Sequence, residues 1–234
     1  MLKPDIAAGT QSLKSSGWLK ETPSEFADAV LANCHWRAIA AGQTIQHAGD
    51  THAGIFGLAR GTVAITTSLG SPDAPMLHIG HPGLWFGYVA LFKGRAVPNG
   101  IVARSDVLVA GMAQSQLEQL LAKHPPWWRY IGLLGVIYGN AAANIAADMM
   151  IRDSARRCAA ALLRLADCRF ELAVGVQTVH APLSQDELAA IANLSRTSIS
   201  TILREFDEQG LISLGYRSVT LNDPSRLRAM VDDV

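Results

Sequence analysis

Cysteine, lysine and long uninterrupted apolar runs are all scarce in this chain of 234 residues. The three cysteines, Cys34, Cys158 and Cys168, are too few and too scattered for a disulfide framework, a zinc cluster or a four-cysteine iron–sulfur site. The longest apolar candidate, Ile131 to Ile151, is interrupted by Asn140, Asn144 and Asp148, short of the about 20 residues that span a bilayer. The N-terminus lacks the charged and then apolar regions of a secretory signal. These absences lead us to expect a cytoplasmic protein with no membrane partner. The formal net charge is zero, so no global field draws the chain to nucleic acid. Neither a nucleophile motif, a metal-ligand set nor a phosphate loop is present, and the carboxylates are scattered. We therefore expect no enzyme and no metal. Lysine is absent beyond Lys123. From Arg129 onward every fixed positive charge is arginine, the side chain suited to bidentate contacts with guanine and phosphate.

What is present begins with apolar content: 49% of the residues are hydrophobic, enough for a real core. Residues 1–21 are polar and aperiodic and read as a loose N-terminal arm. Thr22-Pro23-Ser24-Glu25 reads as a helix start, with Thr22 as N-cap and Pro23 at the first helical position. From Trp36 to Met112 short apolar runs (Ile55 to Leu58, Val63 to Ile65, Val107 to Val109) alternate with Gly42, Gly49-Asp50, Gly61, Gly70, Gly80, Pro82-Gly83 and Gly87. That rhythm predicts an antiparallel barrel or roll. A brief helix from Ser115 to Lys123 is stopped by Pro125-Pro126. Pro126 then opens a helical stretch to Arg152, where Ile131, Leu134, Ile137 or Tyr138, Ala141, Ile145 and Met149 recur at three- and four-residue steps. A helix this apolar between two small domains calls for a partner, and a parallel coiled-coil homodimer along that seam is the natural solution. Asp153 reads as the N-cap of the next helix, with Arg156, Arg157 and Arg164 outward and Cys158, Ala161, Leu162 and Leu165 inward. A polar stretch around Val174 to His180 leads onward.

Leu183 to Leu221 carries the clearest chemistry. Ser184 to Glu187 is a capping box, Asn193 stands where the turn must go left-handed, and Ser195 caps a second helix. Ile199, Ile202, Leu203 and Phe206 form one apolar stripe on that helix. The opposite face presents Arg196, Thr197, Ser200, Thr201 and Arg204. A face so free of bulk can enter a groove about 12 Å wide and meet base edges. After Gly210, two short strands flank Gly215-Tyr216-Arg217, a wing that can lie on the DNA backbone. The pattern predicts a winged helix-turn-helix whose partner is double-stranded DNA.

With those residues in place, the chain resembles the Crp/Fnr family of bacterial transcription regulators over nearly its whole length. Ser195-Arg196, Ile202-Leu203 and Glu208 to Ile212 are similar to the family's recognition helix and its exit. Asp153 matches the hinge aspartate, and the glycines from Gly42 to Gly87 follow the cyclic-nucleotide-binding roll. The resemblance implies an α+β chain. It would have an N-terminal antiparallel β-roll at 22–125, a dimerisation helix at 126–152 and a winged helix-turn-helix at 153–234. It further implies a homodimer on a palindromic site, touching RNA polymerase if it activates. Arg196 carries over as a base reader, while Thr197 and Thr201 stand where the family has an acidic and a basic reader, so the target differs. Ser184, Ser195 and Ser198 match phosphate-contacting positions, and Arg217 belongs to the wing. The effector pocket implied is Phe86, Gly87, Tyr88, Arg95, Val97 and Ala142. Tyr88 stands where cyclic-nucleotide binders carry a glutamate, and Val97-Pro98 where they carry an Arg-Ser or Arg-Thr pair, with Arg95 shifted nearby. Ala142 and Ala143 replace polar residues that touch adenine. A buried phosphate without its arginine is costly, so neither conventional cyclic-AMP binding nor any cofactor is expected. Two other readings stand beside this one: a ligand-binding roll whose helical domain mediates protein contacts, and a regulator of this family that needs no effector.

Overall fold

A computed structural model describes residues 5–51, 54–67, 76–93, 96–169 and 178–232. The chain divides into two compact units, Met1–Asn140 and Ala141–Val234.

The first unit opens with three helices, α1 (Ile6–Ser15), α2 (Gly17–Lys20) and α3 (Ser24–Ala32). The arm expected at 1–21 is thus structured over its described residues. Asp5 caps α1 by accepting from the Ala8 amide at 3.0 Å, and Leu13, Trp18 and Leu19 are buried. Their spacing shows no clear period, but each is large and each finds the same core. The cap of α3 is Pro23, not Thr22, whose hydroxyl instead donates to the Leu19 carbonyl at 2.9 Å.

The roll is two four-stranded antiparallel sheets. β1 (His35–Ile39), β8 (Val107–Ala113), β3 (Gly54–Arg60) and β6 (Trp85–Phe86) lie side by side in that order. The second sheet runs β2 (Thr44–Gln46), β7 (Asn99–Ala103), β4 (Val63–Thr67) and β5 (Met76–Gly80). Ile39, Leu58, Val63, Phe86, Ile101, Val107 and Val109 fill the space between them. Several predicted turn glycines need their freedom. Gly87 has φ +85°, and a Cβ there would lie 2.6 Å from the Gly54 carbonyl oxygen, closer than any side chain allows. Gly70 lies outside the described residues. A short helix α4 (Val89–Lys93) follows β6, and α5 (Gln114–Lys123) follows β8.

After a 3-10 turn at Pro125–Trp127 comes α6 (Trp128–Met149), which ends nearer the N-terminus than Arg152. Ile131 and Leu134 are fully buried in one cluster with Trp18, Phe26, Trp85, Met112 and Leu117. The apolar spacing read as a dimer seam therefore begins, at Ile131 and Leu134, as part of this chain's own core. A three-and-four repeat identifies an apolar face without telling which neighbour covers it. Gly132, Gly135, Val136, Gly139, Ala142 and Ala143 face outward instead. By length and composition Pro125–Met149 is apolar enough to cross a membrane, and only 11% of its most apolar window is buried. The interruptions at Asn140, Asn144 and Asp148 are thus weaker than the sequence suggests, because alanine, isoleucine and methionine surround them.

The second unit contains the end of α6, then α7 (Ser154–Leu165), β9 (Val179–Ala181), α8 (Gln185–Ala192), α9 (Arg196–Glu208), β10 (Ile212–Gly215), β11 (Ser218–Leu221) and α10 (Pro224–Asp232). Asp153 caps α7 as expected, accepting from the Arg156 amide at 2.8 Å, and Cys158, Ala161, Leu162 and Leu165 are buried. The arginines do not face outward. Arg164 is only 8% exposed, because Asp148 lies 2.9 Å from its Nη1; burial draws its pKa down and the carboxylate opposes that. The Arg156 Nη2 donates to the Val231 carbonyl at 2.8 Å, and Arg157 donates to Ala192 and Ile151 carbonyls at 2.9 and 2.6 Å. Much of the arginine bias in this half thus serves internal bonding, a use invisible in composition. β9 and α10 are further elements that sequence periodicity missed; residues 170–177 lie outside the described set.

Candidate nucleic-acid interface

The capping box forms as the sequence predicts. The Ser184 amide donates to Glu187 at 2.7 Å, and the Ser184 hydroxyl accepts from the Glu187 amide at 3.3 Å. At the end of α8, Asn193 takes φ 50° and ψ 52°, the left-handed turn that asparagine tolerates. Ser195 then caps α9 by accepting from the Ser198 amide at 3.0 Å. Ile199, Ile202, Leu203 and Phe206 are buried, so packing fixes the rotation of α9. The opposite face necessarily points out: Arg196, Thr197, Ser200, Thr201 and Arg204 are all exposed.

The remaining predicted residues divide. Arg217 is exposed at the wing turn with φ 48°. Ser184, Ser195 and Ser198 stand around the helix starts, but their hydroxyls already bond locally, so any phosphate would share them. Sequence reasoning missed two residues here. Tyr216 at the wing tip is 94% exposed, and Asp186 pairs with Arg196 at 3.3 Å. A groove of about 320 Å³ opens between wing and helices, bordered by Gln185, Asp186, Arg196, Tyr216 and Arg217. A bulky side chain in a two-residue hairpin turn was the available signal for Tyr216. Residues two after a cap and one after a cap meet when two helices start side by side, which the local pattern does not show.

In the roll, Phe86, Gly87, Tyr88 and Val97 do come together, lining a cavity of about 160 Å³ with Gln46 and Tyr138. Tyr88 stacks on Tyr138, with ring centroids 5.5 Å apart, and the Trp85 amide donates to the Tyr138 hydroxyl at 2.7 Å. Burial pushes both phenols up from their ordinary pKa, so both remain protonated at neutral pH. Arg95 lies outside the described residues, and Ala142 is an exposed residue of the second unit. Among the described residues no three His, Cys, Asp or Glu side chains are placed to hold a metal ion.

A ligand-type β-roll, a long helix and a winged helix-turn-helix define a DNA-binding transcription regulator. Comparison with known proteins agrees. A cyclic nucleotide-binding domain model matches residues 36–124, and a Crp-like helix-turn-helix domain model matches residues 156–230. The HTH-type transcriptional regulator Cmr of Mycobacterium tuberculosis is 29% identical over 202 residues, 82% of this chain and 75% of that one. A CRP-like cAMP-activated global transcriptional regulator of the same organism is 24% identical over 186 residues, 80% of this chain and 83% of that one. Among solved structures, a CRP-family transcriptional regulator from Thermus thermophilus superposes with a TM-score of 0.65 at 25% identity, covering 83% of this chain and 96% of its own. The two matched domains, the relatives and the structural neighbours are those of the Crp/Fnr family.

Proposed function

We infer that the protein acts as a homodimer on a palindromic DNA site, one α9 in each half-site, with α6 of one copy against α6 of the other. The observation that carries the dimer is the outward face of α6. A Cβ placed on Gly132, Gly135 or Gly139 would meet nothing within 4 Å. Glycine in a helix interior costs about 1 kcal/mol relative to alanine, and this chain alone offers no compensation for any of the three. A second helix packed closely against that face supplies one, since small residues let two backbones approach. A lipid contact would account for the apolar surface equally well but not for the buried, ion-paired Asp148 in the last turn. The proposed location is therefore the cytoplasm.

Arg196 is the proposed base reader, with Thr197, Ser200, Thr201 and Arg204 completing the groove face. Ser184, Ser195, Ser198 and Arg217 serve the phosphates. Selection from random-sequence duplexes, read beside the native mass of the protein, tests this. A palindrome recovered by a dimer supports it. Failure to select any palindrome at low salt favours the alternative in which the helical domain contacts protein. RNA polymerase is the further partner if regulation is positive.

The roll's own pocket does not suit a cyclic nucleotide. Among the described residues its lining holds no charged side chain to meet a phosphate, and Tyr88 and Val97 stand at its wall. Calorimetry with cyclic AMP is expected to give no heat of binding. A one-per-subunit micromolar isotherm would overturn that expectation.

A further inference from the structure

The last turn of α6 is bolted to the DNA-reading unit. Asp148 is 3% exposed. Its carboxylate accepts from Arg164 Nη1 on α7 at 2.9 Å and from Arg169 Nε at 3.2 Å, and Arg169 Nη1 reaches Asp232 on α10 at 2.8 Å. A second grip holds the connector itself. Arg157 Nη1 donates to the Ile151 carbonyl at 2.6 Å while its Nε donates to the Ala192 carbonyl at 2.9 Å. Ala192 is the last residue of α8, immediately before the left-handed Asn193. The connector of Met150 to Asp153, which would otherwise be a swivel, is therefore anchored just upstream and at one of its own carbonyls. Consistent with this, the compact unit begins at Ala141, so residues 141–149 of α6 go with the reading head.

Stability does not explain such a device. Desolvating a buried ion pair commonly cancels its Coulombic gain, and apolar residues of similar size do as well or better. Leu162, Leu163 and Leu165 already line this part of α7, so a leucine would pack there. A guanidinium–carboxylate pair supplies direction instead: it is satisfied in one geometry. Directional control matters for reading a palindrome. One added base pair moves a half-site by about 3.4 Å and turns it by about 34°.

We propose that Asp148, with Arg157, Arg164 and Arg169, is a positioning clamp that fixes the angle between the paired helix and the recognition helix, and so the half-site spacing the dimer accepts. The proposal rests on the palindrome-reading dimer inferred above.

The test compares wild type, Asp148→Asn and Arg157→Met on a series of palindromes whose spacer varies by single base pairs, and on a duplex carrying one half-site. Wild type is expected to favour one spacer by roughly tenfold, and each variant to level that preference to within about threefold while half-site affinity stays within about twofold. A merely structural role would weaken half-site and palindrome together, and that result overturns the clamp. A wild-type spacer profile retained in both folded variants also overturns it. If wild type itself shows no spacer preference, the palindrome reading falls first and the clamp with it, so the two failures are distinguishable. Should Asp148→Asn fail to fold, Arg157→Met decides alone, because it breaks the second grip and leaves the buried ion pair intact.

Discussion

Arg196 and Asp186 stand as an ion pair at the mouth of the recognition surface, Nε to Oδ1 at 3.3 Å, so the proposed base reader is held by a carboxylate while no DNA is bound. Both side chains are mostly exposed, 72% and 65%, and such pairs contribute only about 0–1 kcal/mol to stability. Asp186→Asn should leave the melting temperature nearly unchanged. It should raise DNA affinity and steepen the salt dependence by roughly one counterion, because Arg196 is freed and a repelling charge is removed. Fluorescence anisotropy against salt concentration measures both. Weaker binding by the variant would show that Asp186 instead presents Arg196 to the DNA.

Arg196→Ala removes the proposed base reader. Loss of a bidentate contact costs about 1–3 kcal/mol at each half-site. The selected palindrome should then bind little better than a scrambled one, while the dimer and its melting curve persist. Equal affinity of mutant and wild type for the selected site would refute the role. Thr197 and Thr201 should tolerate alanine with smaller losses.

Gly135→Leu separates the two uses of α6. Within one chain the new side chain meets nothing within 4 Å at its Cβ, and helix propensity gains about 0.8 kcal/mol. The variant should fold as well as wild type yet sediment as a monomer, and palindrome binding should fall with it. A stable dimer in analytical ultracentrifugation would place the interface on another face.

The thiols give a pH expectation. Burial pushes Cys158 up to about 12 and Cys34 likewise to about 12, with Cys168 up to about 11. Cys158 and Cys168 are buried and stay protonated at pH 8, so neither should react with an aromatic disulfide reagent until the protein unfolds. The sign for stability follows from the direction of the shift. The unfolded thiol ionises near 9.0 and the folded Cys158 near 12, so the buried thiol's contribution is complete below about pH 9 and is lost as pH rises toward 12. A Cys158→Ala variant should show a shallower alkaline loss of stability. Rapid labelling of Cys158 or Cys168 in the native protein at pH 8 would contradict their burial.

Local chemistry was legible wherever a residue acts on its immediate neighbours. The Ser184 box, the left-handed Asn193, the Ser195 and Asp153 caps and the stripe from Ile199 to Phe206 each need only a few residues of context, and each is where its spacing places it. Turn glycines such as Gly49, Gly61, Gly83 and Gly87, all at positive φ, marked the strand ends of the roll for the same reason. The cavity at Phe86, Gly87, Tyr88 and Val97 was legible through the glycine pattern rather than through any property of those side chains.

Contacts between distant segments were not legible. The N-terminal helices depend on Leu13, Trp18 and Leu19 meeting a core assembled from strands and α6, and no period announces three isolated residues. Ile131 and Leu134, expected on a dimer seam of α6, lie in this chain's own core, because their spacing satisfies a heptad equally well against the roll or against a second helix.

The sequence by itself determined the recognition module and its outward face, because capping, turn conformation and a 3.6-residue stripe are set within about ten residues of chain. Only the tertiary structure decided where the arginines spend their charge, which face of α6 is left uncovered, and that Asp148 joins the last turn of α6 to α7. Those three depend on which side chains meet across long stretches of intervening chain, where the packing of whole elements, not local preference, selects the partner.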